Sequence, residues 1–301
     1  MPTWNEINKE VDDIASQNAC DVVRAKYLSA LSEKLEKPVI AYYSGWLQQK
    51  LPNGAMHQES AVTDIDMNGL MAAAHGVDKK SGLYLILHTP GGDIEAGRVF
   101  IEYLYKIFGY DIHAIIPQMA MSVGTMIACG CKSIVMGKQS SLGPTDPQIS
   151  GIPAMGVLAE VDRAIKEIKN DQTKALLWQR VFDKYPPAFI SNCERAIEQT
   201  RSMVADWLVR GMLSGREGAL DSANKIVSQL MDYTGTSAHN HHFLSDKCKE
   251  IGLNIIDIED DQDIQEYALS VHHSFMITFA RSNVLKIIEN SNGNVWSVDQ
   301  I

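Results

Sequence analysis

The sequence predicts an α/β protein built around a mostly parallel sheet. Three short apolar segments carry that prediction: LYLILHT (83–89), DIHAIIP (111–117) and KSIVMG (132–137). The first two are each closed by a turn and followed by a helical stretch. The result is strand-helix-strand-helix-strand with short links, the rhythm of parallel layering.

The elements follow in chain order. Residues 5–36 read as one helix, with Ile7, Val11, Ile14 and Ala15 at helical spacing, ended by Lys37-Pro38. VIAYYSGW (39–46) reads as a strand, and 47–62 as a polar loop turning at Pro52-Asn53-Gly54. A helix over 65–76 follows, capped by Asp64 or Asp66. Strand 83–89 then runs through the turn PGGD into an amphipathic helix over 94–108. After strand 111–117, MSVGTMIACG (121–130) opens the next helix. SSLGPTDPQISGIPA (140–154) is a Gly- and Pro-rich loop. Residues 157–231 are helical, broken at Tyr185-Pro186-Pro187 and again over 211–218. Residues 233–261 read as a loop, a short helix and a short strand; 262–290 as helix; 291–301 as a loose tail. The implied organisation is an N-terminal helical segment (1–36), a core (37–260) with a helical insertion (157–231), and a C-terminal helix and tail (261–301).

Composition narrows the function. Hydrophobic residues make up 45% and charged residues 21% of 301, which is ordinary for a folded globular chain. A net charge of −10 argues against nucleic acid or an anionic membrane as partner. The N-terminal stretch carries acidic residues and no apolar core, unlike a signal peptide. Residues 114–131 carry no charge, but Pro117, Gln118, Ser122, Thr125 and two glycines make a strand-turn-helix of them rather than a membrane span. The five cysteines are odd in number and follow no framework spacing, so reduced thiols and a cytoplasmic location are expected. His239, His241 and His242 lack a carboxylate or thiol at a matching interval, so no metal is expected, nor any other cofactor.

The chemistry is expected at two glycine-bearing turns 30 residues apart, around Gly92 and Ser122. In a parallel sheet both fall at the carboxyl ends of strands, where ligands bind. Pro90-Gly91-Gly92 lets backbone N–H groups approach a substrate closely. The N–H of Gly92 or Gly91, with that of Val123, can then face one oxyanion beside the Ser122 hydroxyl, which is what acyl transfer requires. The competing reading makes PGG a plain turn and Ser122 a helix cap.

LILHTPGGDIEAG, AMSVGT and LGPTDPQ, in that order, resemble the Clp-crotonase superfamily, and more closely the serine dehydrogenase proteinase family. The resemblance is strong over 64–154 and weaker through SAHNHHFLSDKCKEIGLNI. It implies a ClpP/crotonase-like ββα superhelix with additional N- and C-terminal helices, a peptide or protein substrate, and a homo-oligomer that limits access to its sites. It gives no regulatory partner. It makes Ser122 the nucleophile and Gly92 with Val123 the oxyanion pair. Where related Clp peptidases carry a catalytic His, this chain has Thr145, so the base is open. Related signal-peptide peptidases use a lysine, and Lys174, 52 residues past Ser122, stands at a similar interval and before an apolar run. Lys166 and Lys169 are further candidates. Asp146 orients a base or fixes its turn; His239 can be the base instead; His88 lines the cleft or is structural. Asp64 and Asp66 match an acidic pair of the family whose role the residues do not reveal. Two alternatives to a peptidase are a scaffold that has lost its base and a crotonase-type acyl-CoA enzyme.

Overall fold

The computed structural model describes residues 3–232 and 241–300. The N-terminal stretch forms two helices instead of the one expected, α1 (Trp4–Asp13) and α2 (Ala19–Leu35). Between them Ser16-Gln17-Asn18 breaks the pattern. The Ser16 hydroxyl accepts from the Asn18 N–H, a local bond that competes with helix.

The strands β1 (Val39–Ser44), β2 (Leu83–His88), β3 (Ile112–Ile116), β4 (Met119–Ala120), β5 (Ser133–Met136), β6 (Ser141–Leu142), β7 (Gln148–Ile149), β8 (Ile152–Pro153), β9 (Phe243–Leu244), β10 (Ile255–Asp257), β11 (Val284–Asn290) and β12 (Val295–Asp299) form three sheets. The largest has the order β10-β5-β3-β2-β1-β11-β12. Its first five strands run parallel to one another and its last two antiparallel.

That last pair corrects the expectation of helix to residue 290 and a loose tail. The final long helix, α11 (Gln262–Arg281), ends at Ser282. β11 then enters the sheet beside β1, and Asn292-Gly293 turns it into β12, with Gly293 at φ +85°.

Helices cover both faces. On one lie α3 (Asp66–Ala73), α4 (Ile94–Phe108), α5 (Val123–Cys129), α6 (Ala154–Asn170), which leads into α7 (Ala175–Phe182), α8 (Phe189–Arg210), α9 (Ala219–Leu230) and the short α10 (Ser245–Glu250); Leu85, Leu87, Ala114 and Ile116 share one core with all of these but α7. On the other, α2 and α11 pack against Ala41, Tyr43, Ile86 and Ile115. The alternation along β1, β2 and β3 is that of strands buried on both sides.

A second layer of short pairings crosses the carboxyl ends of the parallel strands. Val62 bridges Gly92, Thr89 bridges Ala120, and β4 pairs with β6, which pairs with β9. Strands β1, β2, β3 and β5 thus each run into a short pairing and then a helix. This repeated ββα unit is the α/β ClpP-like fold. All five cysteines are free, and no helix among the described residues is long and apolar enough to cross a membrane.

Candidate active site

The turn before α5 is strained. Ser122 sits at φ +51°, ψ −116°, a backbone region that non-glycine residues rarely occupy. Packing holds it there. Gly124 lies so close to Thr89 that a side chain would collide with Thr89 Cγ2. Thr125 Oγ1 donates to Ala120 O at 2.8 Å and accepts from the Gly143 N–H at 2.9 Å. The small residues around the serine are therefore what allows three backbones to meet.

Gly91, at φ +95°, closes the other side. A Cβ at 91 would stand 2.7 Å from Ser122 Cβ and 3.2 Å from the Val123 nitrogen. Val62 fixes this turn through a parallel bridge: its N–H donates to Gly91 O at 2.8 Å, and its carbonyl accepts from Asp93 N–H at 2.9 Å. In such a bridge the intervening residue, Gly92, turns its own N–H away from Val62. The Gly91 N–H is taken by Thr89 Oγ1 at 3.2 Å. Among the described residues no acceptor takes the N–H of Gly92 or of Val123. Of the two glycines the sequence offered as donors, Gly92 is the one whose N–H stays available.

Gly91, Gly92, Asp93, Ser122, Asp146 and Gln148 line one cleft of about 420 Å³. Asp93 also caps α4, accepting from Ala96 N–H at 2.8 Å. Asp146 is nearly fully buried in the cleft wall, and Thr145 beside it is fully buried. A wider groove of about 700 Å³ between α4 and α8 shares Ile94 and Glu95 with this cleft.

Other candidate residues lie elsewhere. Lys174 closes a short 3₁₀ turn between α6 and α7; it is 43% exposed, its ammonium is 3.4 Å from Glu167, and it does not line the cleft. Lys166 and Lys169 lie on α6. His88 is fully buried on the opposite side of the sheet, its ring 4.4 Å from Trp46 and 5.2 Å from His272. Burial holds the His88 imidazole well below the usual histidine range, reinforced by His272. His113 bonds Ser133 Oγ at 2.7 Å, a structural role. His239 lies outside the described residues. His242 bonds Ser141 Oγ on β6 at 2.8 Å. His241 packs edge-on against Phe243.

One group escaped sequence reasoning. Lys286 on β11 is fully buried, and its ammonium lies 2.6 Å from Asp66 Oδ1 and 2.5 Å from Ala61 O. Asp66 Oδ2 accepts from Tyr42 Oη at 2.7 Å and from Thr63 N–H at 3.0 Å. The acidic residue at 66 was visible in the sequence, but its partner lay in a segment read as helix.

The sequence profile of the family described as ClpP-like SDH-type serine proteinase matches residues 59–271. Two uncharacterized proteins of Methanocaldococcus jannaschii are similar in sequence. One is 27% identical over 234 residues, covering 78% of this chain and 73% of the relative. The other is 29% identical over 194 residues, covering 64% of this chain and 59% of the relative.

Proposed function

The chain belongs to the family of ClpP-like SDH-type serine proteinases, and on that premise we propose that it hydrolyses peptide bonds through an acyl-enzyme on Ser122. One observation carries the reading: two unengaged backbone N–H groups, of Gly92 and Val123, flank a serine held in a strained turn at the wall of a cleft. Ser122 Oγ attacks the scissile carbonyl as a base takes its proton. The oxyanion accepts from Gly92 and Val123. The amine leaves with the proton, and water then hydrolyses the ester.

Two side chains, Lys174 and His239, compete for the role of base. Lys174 is half exposed, held by Glu167, and does not line the cleft. Asp146 is a buried carboxylate in the cleft wall, suited to orienting an imidazole. The reading therefore takes His239 as base and Lys174 as the alternative. The same reading makes the protein a cytoplasmic homo-oligomer acting on peptide or protein substrates.

The test is reaction of the purified protein with a fluorophosphonate, with the adduct mapped by mass spectrometry. The expected result is one adduct on Ser122, absent in Ser122→Ala, lost in His239→Ala and retained in Lys174→Ala. Loss in Lys174→Ala alone transfers the base to the lysine. A folded protein that gives no adduct is a scaffold, and the peptidase reading fails.

A further inference from the structure

The segment 61–63 is gripped from two sides. On its outer edge, Val62 holds the glycine turn through Gly91 O at 2.8 Å and Asp93 N–H at 2.9 Å. On its inner edge, the flanking residues are held by a buried ion pair: Ala61 O accepts from Lys286 at 2.5 Å, and Thr63 N–H donates to Asp66 at 3.0 Å. Lys286 and Asp66 lie 2.6 Å apart and at most 1% of either is exposed. Tyr42 on β1 adds a third support to Asp66 at 2.7 Å.

A buried ion pair is a poor source of stability, because desolvating both charges cancels most of their attraction. What such a pair does supply is a fixed geometry. Here that geometry is the position of a strand with only one bridged residue, Val62 against Gly92. A single bridge leaves the turn free to shift unless something stiff lies behind it. Oxyanion donors lose their value when displaced by a fraction of an ångström.

We infer that Lys286 and Asp66 are positioning residues for the Gly92 oxyanion donor, acting through the Ala61–Val62–Thr63 backbone. The inference rests on the reading of Ser122 as nucleophile. It assigns a role to the acidic residue at 66, and it explains why β11, at the far end of the chain, is part of the same sheet as the catalytic turns. The ion pair touches neither the substrate nor Ser122.

The test uses the full chain and a fluorophosphonate probe. In that reaction the Ser122 Oγ–P bond forms, the P–F bond breaks, fluoride leaves, and the serine proton passes to the base. The phosphoryl oxygen takes up charge in the transition state, so its stabilisation is read in kinact and the encounter in KI. The variant is Lys286→Met with Asp66→Asn, which releases Ala61 O without leaving a lone buried charge. We expect kinact to fall by about tenfold, below the loss for removing a donor outright, with KI unchanged within about twofold. Amide exchange at Val62 and Asp93 should quicken in the same variant. Wild-type kinact in the folded variant, or a fall in kinact without quicker exchange at 62 and 93, overturns the inference. Should the double variant not fold, Tyr42→Phe loosens the same carboxylate and must shift both readouts in the same direction, or the inference fails. If wild-type protein gives no Ser122 adduct, the nucleophile reading is what has failed, and the exchange measurement alone decides the clamp.

Discussion

Gly97 on α4 packs directly against Val123, the residue after Ser122: a side chain at 97 would collide with Val123 Cγ1, with Ile127 Cδ1 behind it at 3.9 Å. Two effects oppose each other in Gly97→Ala. Helix propensity favours alanine inside a helix by about 1 kcal/mol. Overpacking a full core costs about 1–3 kcal/mol. Packing wins here because Val123 begins α5 and has Ile127 behind it. The expected outcome is a net loss of about 1 kcal/mol in urea unfolding, with slower fluorophosphonate labelling because Val123 N–H is displaced. A more stable variant labelled at the wild-type rate would show that α4 yields freely.

Ser122 separates strain from chemistry. Its φ of +51° is compatible with glycine at no steric cost. Ser122→Ala keeps the backbone strain and removes the hydroxyl. Ser122→Gly removes both. Both should abolish labelling. Thermal unfolding should then rank Ser122→Gly above Ser122→Ala by about 1 kcal/mol, which is about 2 kcal/mol of strain relieved at such a position less about 1 kcal/mol of glycine entropy cost. A melting temperature for Ser122→Gly below that of Ser122→Ala would mean that the turn is not strained, because only the glycine entropy cost would then remain.

The core of the site is legible in the sequence, because a tight turn needs particular residues at particular places. HTPGGD and AMSVGT are turn chemistry written out, and the apolar strands before them set which end of the sheet they reach. The C-terminal strands are not legible for a physical reason. In VLKIIEN, Lys286 and Glu289 three residues apart resemble the polar face of a helix. Both are buried instead, on opposite faces of β11: Lys286 toward Asp66, Glu289 toward Arg24. Periodicity reads a charge as solvent-facing, so a strand with an ion pair on each face defeats it. His88 is a similar case. Its neighbours in sequence are the Pro90-Gly91-Gly92 turn, but strand alternation sends its ring to the other side, toward Tyr43, Trp46 and His272.

That histidine pair gives a pH dependence. Burial lowers the His272 pKa to about 3, helped by His273, and holds His88 well below its usual value as well. Both are neutral when folded, whereas in the unfolded chain each takes up a proton below about pH 6.5. The unfolded state then binds more protons, so stability is intact above that pH and falls as the pH drops below it. Each histidine contributes a slope of about 1.4 kcal/mol per pH unit. Urea unfolding from pH 7 to pH 5 should show the loss, and His272→Phe should lessen it by about one proton's slope. A flat profile over that range would mean that the pair takes up protons without unfolding.

The Arg24–Glu289 pair tests whether buried charge on β11 stabilises the fold or merely specifies it. Arg24 donates to Glu289 at 2.7 Å, to Thr278 at 2.8 Å and to Asp21 at 2.7 Å, so it ties α2, α11 and β11 together. Burial raises the Glu289 pKa, and Arg24 opposes the rise. Arg24→Met therefore strands a carboxylate that resists ionisation. At neutral pH that should cost about 3–5 kcal/mol. With its cation gone, the Glu289 pKa rises further in the folded state than in the unfolded chain. The variant's deficit should then shrink as the pH falls toward 5, because the folded protein holds a proton that the unfolded chain has released. Arg24→Met combined with Glu289→Leu removes both charges and should regain most of the loss. Urea unfolding of the single and double variants at pH 7 and pH 5 separates the two roles. If the double variant is as unstable as the single one, the pair's hydrogen bonds to α11 and α2, and not the cost of a lone charge, are what hold β11 in the sheet.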